Sequence, residues 1–112
     1  MIIVNATLIP KEDKKDEIIN MADDIITESR THKGNIAYNM VEDVENQQLK
    51  ILEKWETKEA LENHMQTDVF QDFGSNTKDL LQKEPKVGIY FAELLNDKSG
   101  KEKTEIKLIH YD

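Results

Sequence analysis

The spacing between apolar residues switches several times along this chain, and the order of the switches is the feature that most limits its fold. Alternating or continuous apolar runs are typical of strands, whereas recurrence every three or four residues is typical of amphipathic helices. The opening stretch "MIIVNATLIP" is apolar and β-branched and ends at Pro10, which predicts a strand over residues 2–9. Helical spacing follows and predicts a helix over residues 13–33, which begins at Asp13 and is followed by Gly34.

The rest of the pattern adds three strands and two short helices. The stretches "NIAYNMVEDV" and "QQLKILEKW" predict a hairpin whose turn lies around Glu45 and Asn46. Short helices are expected from Lys58 to Gln66 and again from Asp68, before a last strand in "KVGIYFAELL". The order β-α-β-β-α-β is that of the ferredoxin-like split βαβ fold, an α+β architecture in which an antiparallel sheet carries helices on one face.

The first strand is apolar on both of its faces. One face carries Val4, Ala6 and Leu8, and the other carries Ile3, Thr7 and Ile9. A chain of 112 residues has enough helix to cover one face of the sheet only. We therefore expect a second copy of the sheet to cover the other face, which makes the protein a homodimer through its helix-free sheet face.

The chain is predicted to form one domain over residues 1–95, followed by a charged linker in 96–112 with an additional C-terminal edge strand in "TEIKLIHY". The net charge of -8, with basic residues scattered among acidic ones, argues against nucleic acid and anionic membranes as partners. No cysteine is present, which excludes disulfides and thiolate sites. No apolar run approaches the ~20 residues of a membrane span, and a cytoplasmic protein is expected.

Bulky and titratable groups are concentrated in "LEKWETKEALENHMQTDVFQDF", residues 52–73, which holds the only tryptophan of the chain. Trp55 is either a core anchor or one wall of an aromatic-binding cavity between the sheet and the helices. His64 is either a packing residue or a general base, because an ordinary histidine pKa of about 6.5 suits proton transfer at neutral pH.

Asn5 is unusual in a strand, so its amide either bonds a backbone group or points into the cavity and holds a substrate oxygen. Four further residues either belong to the plain core or line the cavity as substrate-binding groups: Tyr38, Met40, Phe70 and Phe73. No histidine spacing typical of a metal site and no glycine-rich phosphate loop occurs, so we expect neither a metal nor another cofactor.

The central stretch also carries a resemblance to a known family. Its most diagnostic spacing joins Glu53-x-Trp55, Ala60, Leu61, His64 and Phe70. Together with the "NATLIP" and "GIYFAEL" strands, this spacing resembles the antibiotic biosynthesis monooxygenase family of dimeric α+β barrels over roughly residues 2–95. The resemblance implies the fold more strongly than the reaction, because members include quinol and anthrone monooxygenases without cofactor, haem-degrading monooxygenases and a signal-molecule isomerase.

The resemblance also implies positions for substrate contacts. Ile51 and Leu61 stand where anthrone-oxidising members carry an asparagine and a tyrosine, and they are expected to touch the substrate. Haem-degrading members carry a tryptophan at the position of His64 and the iron-binding histidine at that of Gly74, so haem degradation is not expected here.

Three functions are compatible with these residues. The first is a cofactor-independent monooxygenase that acts on a quinol-like or other small aromatic molecule with molecular oxygen, in which His64, Asn5 and Trp55 form the catalytic group. The alternatives are a non-catalytic dimer that binds a small ligand, and an isomerase of a small oxygenated signal molecule.

Overall fold

A four-stranded antiparallel sheet with helices on one face forms the protein, as the pattern predicts. The computed structural model describes residues 1–96, and the edge strand predicted in the tail lies outside the described residues. The elements are β1 (Ile2–Leu8), α1 (Lys15–Ser29), β2 (Asn35–Asp43), β3 (Gln48–Trp55), α2 (Lys58–Met65), α3 (Asp68–Thr77), a 3-10 turn (Lys78–Leu80) and β4 (Lys86–Phe91). The strand order β2-β3-β1-β4 confirms the ferredoxin-like α+β fold.

Strand β1 lies inside the sheet between β3 and β4, and its register positions the later site. Val4 is paired with Glu53 on one side and with Ile89 on the other. Alternation along the strand turns the even-numbered residues from Ile2 to Leu8 toward the helices, where all four are buried. Asn5 has the opposite orientation and is exposed on the helix-free face.

Helix α1 is shorter than the predicted range of 13–33 at both ends. Asp13 has a φ of +65°, in the left-handed region, so it lies in the preceding turn and is not the N-cap. Lys14 stands before the helix without a side-chain cap. At the other end the chain leaves the helix after Ser29 and reaches Gly34, whose φ of +82° directs it into β2.

The two short helices are separated by a threonine cap. Thr67 Oγ1 donates to the carbonyl oxygen of His64 at 2.6 Å and lies 3.4 Å from the backbone nitrogen of Phe70, from which it accepts. The predicted break is therefore confirmed, and Thr67 is the residue that caps α3. Thr57 caps α2 in the same way by accepting from the backbone N–H of Ala60 at 3.1 Å.

The predicted hairpin between β2 and β3 is also confirmed. One carboxylate organises its turn, because Asp43 accepts from the backbone N–H groups of Glu45 and Asn46 at 3.2 and 3.3 Å. Gln47 closes the turn with a φ of +54°. This turn sets the register in which Tyr38 lies opposite Glu53.

The helices cover β1, β2 and β3 on one face and leave the edge strand β4 largely uncovered. Val87, Ile89 and Phe91 face the helix side of the sheet, and 53%, 55% and 80% of their surfaces are exposed. On the opposite, helix-free face, Leu52 and Tyr90 are also exposed apolar groups. None of the helices within residues 1–96 is long and apolar enough to cross a membrane.

Two glycine substitutions test the packing between the α1–β2 turn and α2. Gly34→Ala should destabilise the protein by roughly 1–3 kcal/mol, because a left-handed φ disfavours a side chain and the added methyl would lie 2.5 Å from Ala60 Cβ. Gly74→Ala is the matched control within α3, where the new methyl meets nothing within 4 Å. It should stabilise the protein by up to about 1 kcal/mol. Chemical unfolding of both variants measures the difference, and equal stabilities would contradict this description of Gly34.

Candidate functional site

An apolar cavity of about 700 Å³ lies between the sheet and the helices. Its floor is formed by the inward residues of the sheet, and its roof is formed mainly by α2 and α3. Five of the residues predicted to bind substrate line it: Tyr38, Ile51, Leu61, Phe70 and Phe73. The remaining one, Met40, is half-buried and packs against the core without lining the cavity.

Glu53 is the only side chain in the cavity wall that is both acidic and buried, among the residues that the structure describes. It lies on the inward face of β3 with Ile51 and Trp55, and 6% of its surface is exposed. Burial raises the pKa of the Glu53 carboxyl from its ordinary value of 4.5 to about 7, and the hydrogen bond from Trp55 opposes this rise. Near neutral pH the carboxyl can therefore both accept and return a proton.

Trp55 lies behind the cavity wall as a fully buried core residue. Its indole Nε1–H donates a 2.9 Å hydrogen bond to Glu53 Oε1. The ring also packs against His64, with 4.6 Å between the ring centroids. Trp55 is thus a core anchor, and it reaches the cavity indirectly by orienting the carboxyl group of Glu53.

His64 is also buried behind the wall, within a cluster of rings. Its ring contacts those of Tyr38, Trp55 and Phe70 at centroid distances of 4.6 to 5.5 Å. Burial, with a smaller effect of His32, lowers the pKa of His64 from 6.5 to about 4. His64 is therefore neutral at pH 7 and a weak base, and it does not line the cavity.

A second histidine joins His64 to the surface. The Nδ1 atoms of His32 and His64 lie 3.0 Å apart, and His32 Nε2 lies 3.3 Å from Glu28 Oε2. Because a carboxylate only accepts, His32 donates through Nε2–H, and a neutral His32 then accepts at Nδ1 from His64. In that arrangement His64 Nε2 carries no proton, and this buried atom has no hydrogen-bond partner among the described residues.

Tyr38 carries a neutral phenol on the strand next to Glu53, and the side chain of Ser29 lies within hydrogen-bond reach of its hydroxyl. The two residues are paired across β2 and β3, and both line the cavity. Burial, followed by the charge of Glu53, raises the pKa of Tyr38 well above its ordinary value of 10.0. The hydroxyl therefore keeps its proton at neutral pH and can donate a hydrogen bond to a ligand oxygen.

The three residues predicted to be catalytic do not converge on the cavity within one chain. Asn5 is on the opposite face of the sheet, whereas Trp55 and His64 are packed behind the wall. Glu53 was not predicted as a site residue, although the alternation of residues along its strand indicates that it is buried. It alternates with Leu49, Ile51 and Trp55 on one strand face, which places a carboxyl group among buried apolar side chains.

Charged residues surround the mouth of the cavity. They are exposed side chains from the segment after β1 and from the segment between α3 and β4: Lys11, Lys78, Asp79, Lys83 and Glu84. No group of three or more His, Asp or Glu side chains within residues 1–96 is placed to hold a metal ion. The interior of the cavity is thus apolar apart from a few groups, of which Glu53 and Tyr38 are adjacent.

The fold and the cavity define a class of protein, a ferredoxin-like α+β domain with an apolar cavity between its sheet and its helices. Residues 1–75 match the antibiotic biosynthesis monooxygenase family, and the chain belongs to that family. It is similar to YcnE of Bacillus subtilis strain 168, which is provisionally named a monooxygenase, with 34% identity over 82 residues. That match covers 72% of this chain and 86% of YcnE.

Two other proteins show how far the similarity extends. The protein sll1783 of Synechocystis sp. is 36% identical over 90 residues, which is 80% of this chain but only 61% of sll1783 itself. A solved structure of a conserved protein from Methanosarcina mazei Go1 has a TM-score of 0.78 and 28% identity. It covers 82% of this chain, and 92% of that protein is matched.

The buried carboxyl group predicts a stability difference that depends on pH. Because its pKa is higher in the folded protein than in the unfolded chain, the folded state binds more protons between about pH 4.5 and 7. Glu53 therefore lowers the free energy of unfolding as the pH rises through this range. Glu53→Gln should remove that loss. Relative to the wild type, the free energy of unfolding of the variant should therefore increase between pH 4.5 and 8 by at most on the order of 3 kcal/mol.

Urea unfolding at several pH values between 4 and 8 measures this gain, with Glu45→Gln in the exposed hairpin turn as the matched control. His64 acts in the opposite direction, since its lowered pKa makes stability rise between about pH 4 and 6.5. The wild type should consequently show a shallow pH dependence that becomes steeper in Glu53→Gln. A difference between Glu53→Gln and wild type that stays constant from pH 4 to 8 would refute the assignment.

Proposed function

We propose that this protein is a cofactor-independent monooxygenase that oxidises a small quinol-like aromatic molecule with molecular oxygen. The observation that carries the proposal is the 700 Å³ apolar cavity with an acid and a phenol side by side in its wall. Membership of the monooxygenase family supports the same reaction class. A bound aromatic ring would replace water along these apolar walls, and the substrate itself would supply electrons to oxygen.

The dimensions and chemistry of the wall favour a flat aromatic ligand. Phe70 and Phe73 from α3 present rings to the cavity, and Leu61 and Ile51 add aliphatic surface on the other sides. Tyr38 lines the cavity and keeps its phenolic proton, so its hydroxyl would turn from Ser29 to donate to a ring oxygen. A cavity of this size falls within the range of ~300–1,000 Å³ that binds drug-sized small molecules.

A binding protein without catalysis is the second candidate function. It is favoured by the positions of Trp55 and His64, which are packed behind the wall and act first as core residues. In that case the cavity would bind the same aromatic class, but the bound molecule would not consume oxygen faster than the free one. Isomerisation of a small oxygenated molecule would also leave oxygen unconsumed, and it would convert the ligand into a product of equal mass.

The proposed reaction is tested by oxygen uptake with the purified protein and no added metal or flavin. tert-Butylhydroquinone, 1,4-naphthohydroquinone and anthrone form a suitable panel, each corrected for its uncatalysed oxidation. Gly74→Leu should reduce turnover of the best substrate by about tenfold or more, because Gly74 lines the cavity and its side-chain position is open. Gly74→Ala is the matched control and should retain most of the activity. Equal rates for wild type and Gly74→Leu would show that the reaction occurs elsewhere.

The protein is further proposed to be a homodimer through the helix-free face of the sheet. This face carries Ile3 and exposes Leu52 and Tyr90, and Tyr90 folds over the open position at Gly88. Asn5 is near the centre of the same face, so its amide would be covered by the partner sheet. A stable interface of this kind buries about 2,000 Å² or more in total.

Sedimentation velocity at micromolar concentration checks the dimer. Leu52→Asp should produce monomers, because it places a charge within the proposed interface. Val44→Asp makes the same change in the hairpin turn, where 77% of the residue is exposed, and should leave the dimer intact. A wild-type monomer at this concentration would exclude the proposed interface.

A further inference from the structure

We infer that Glu53 is the catalytic base that takes the hydroxyl proton of the substrate, and that the substrate is a neutral hydroxyaromatic molecule without a carboxylate or phosphate group. This inference rests on the proposed function and assigns its proton transfer to a residue of the cavity wall. The geometry that supports it is the row Tyr38, Glu53 and Val4, in which the three side chains lie on adjacent strands at one level of the sheet.

The carboxyl group has one oxygen engaged and one free to act. Trp55 Nε1–H is bonded to Oε1 at 2.9 Å, and no hydrogen bond to Oε2 occurs within the described part of the chain. Since Glu53 also lines the cavity, a substrate hydroxyl can approach the free oxygen directly. The pKa near 7 supports this role, because a base works best when its pKa is close to the operating pH.

Proton transfer to Glu53 starts a balanced oxidation. The carboxylate takes the proton of one quinol hydroxyl, and the resulting anion passes one electron to oxygen to give superoxide and a neutral semiquinone. These two radicals combine in a carbon–oxygen bond, and the protonated Glu53 returns its proton to the distal oxygen to form a ring hydroperoxide. Loss of the ring hydrogen as a proton then breaks the O–O bond, which leaves a hydroxyquinone and one molecule of water. The quinol gives up four electrons in total, and one oxygen atom enters each product.

The charge of the wall determines the class of substrate. A substrate carboxylate or phosphate in this apolar cavity would be close to the Glu53 carboxylate, and two like charges repel more strongly beside apolar walls than in bulk water. The hydroxyl of Tyr38 is neutral and stabilises an oxygen atom without requiring a full charge on the ligand. Five charged side chains at the mouth, three basic and two acidic, remain exposed to solvent: Lys11, Lys78, Asp79, Lys83 and Glu84.

His64 is the competing candidate for the base. Its ring does not line the cavity and packs against the rings of Tyr38 and Phe70, and one nitrogen is engaged by His32. With a pKa of about 4 it would also be a poorer proton acceptor than Glu53 at neutral pH. His64→Phe keeps an aromatic ring in this cluster and removes the titratable group, so it distinguishes packing from proton transfer.

The deciding experiment compares the oxidation of 1,4-naphthohydroquinone by wild type, Glu53→Gln, Glu45→Gln and His64→Phe. Glu53→Gln should lower kcat by about 100-fold or more, the usual contribution of a positioned base, with KM changed less than threefold. Glu45→Gln and His64→Phe should keep kcat within about threefold of wild type. The inference is overturned if Glu53→Gln keeps kcat within threefold, or if His64→Phe loses 100-fold while Glu53→Gln does not.

A second readout separates the inference from the proposed function. Trp55 is the only tryptophan, and its indole is bonded to Glu53, so its fluorescence should change with a midpoint near pH 7. Glu53→Gln should abolish that transition whether or not oxygen is consumed. If wild type oxidises no member of the panel, the proposed function and the role of Glu53 as a base both fail. A fluorescence transition that Glu53→Gln removes would still show that the carboxyl titrates in the cavity.

Trp55 is a positioning residue in this scheme, and the pH profile tests that role. Trp55→Phe removes the indole donor, so the pKa of Glu53 should rise further. The acidic limb of the kcat profile, along which the base loses its proton, should then move to higher pH. A variant that only loosened the core would lower kcat without moving this limb.

Sulfonated naphthohydroquinone tests the substrate class, and its kcat/KM should be at least about tenfold below that of the neutral compound. Equal values would overturn the assignment of a neutral substrate.

Discussion

The indole N–H of Trp55 and the carboxylate of Glu53 form a hydrogen bond inside the core, two residues apart on one face of β3. An inward carboxyl group at this position is costly unless something binds it, because burial disfavours its charged form. The indole supplies a donor and also fills the base of the core, where 0% of its surface is exposed. The wall of the cavity can therefore contain the Glu53 carboxyl, since Trp55 both hydrogen-bonds this group and fills the space behind it.

The ring cluster behind the cavity connects this pair to the end of α1. His64 packs on Trp55, and His32 reaches His64 from the turn that follows α1. Gly34 permits this turn, since its left-handed φ and its close approach to Ala60 bring the chain onto α2. The position of the cavity wall thus depends on contacts between residues that are far apart in the sequence.

Sequence reasoning was successful where a local pattern determines the answer. The order of elements, the hairpin turn around Glu45 and Asn46 and the break before α3 at Thr67 all follow from spacing and turn chemistry. The ends of α1 were placed wrongly because a polar side chain at Asp13 resembles a cap, whereas its backbone adopts a turn conformation. Asn5 was expected either to bond a backbone group or to point into the cavity, whereas alternation along β1 puts it on the face opposite Val4, away from the cavity.

The site itself was only partly accessible from sequence, for physical reasons. Apolar residues such as Ile51 on β3 and Phe70 on α3 line the cavity because each lies on the inward face of its own element, which the apolar periodicity of that element indicates. The meeting of His32 with His64 depends on the packing of α1 against the remainder of the fold, which no local pattern encodes. The pKa values of Glu53 and His64 likewise depend on burial, which reverses their ordinary order as proton acceptors.

Glu53 lowers the stability of the fold, and this loss of stability points to a functional role for its carboxyl group. An aliphatic side chain at this position would pack against Val4 and Ile51 without lowering stability between pH 4.5 and 7. Trp55 would lose its acceptor in that case, yet an aromatic residue without an N–H could fill the same volume. The pair is therefore a less stable solution to the packing problem than an apolar one. Groups of this kind are concentrated at functional sites. The location of the carboxyl in a cavity wall, beside a neutral phenol, makes proton transfer to a bound ligand the function that this loss of stability would serve.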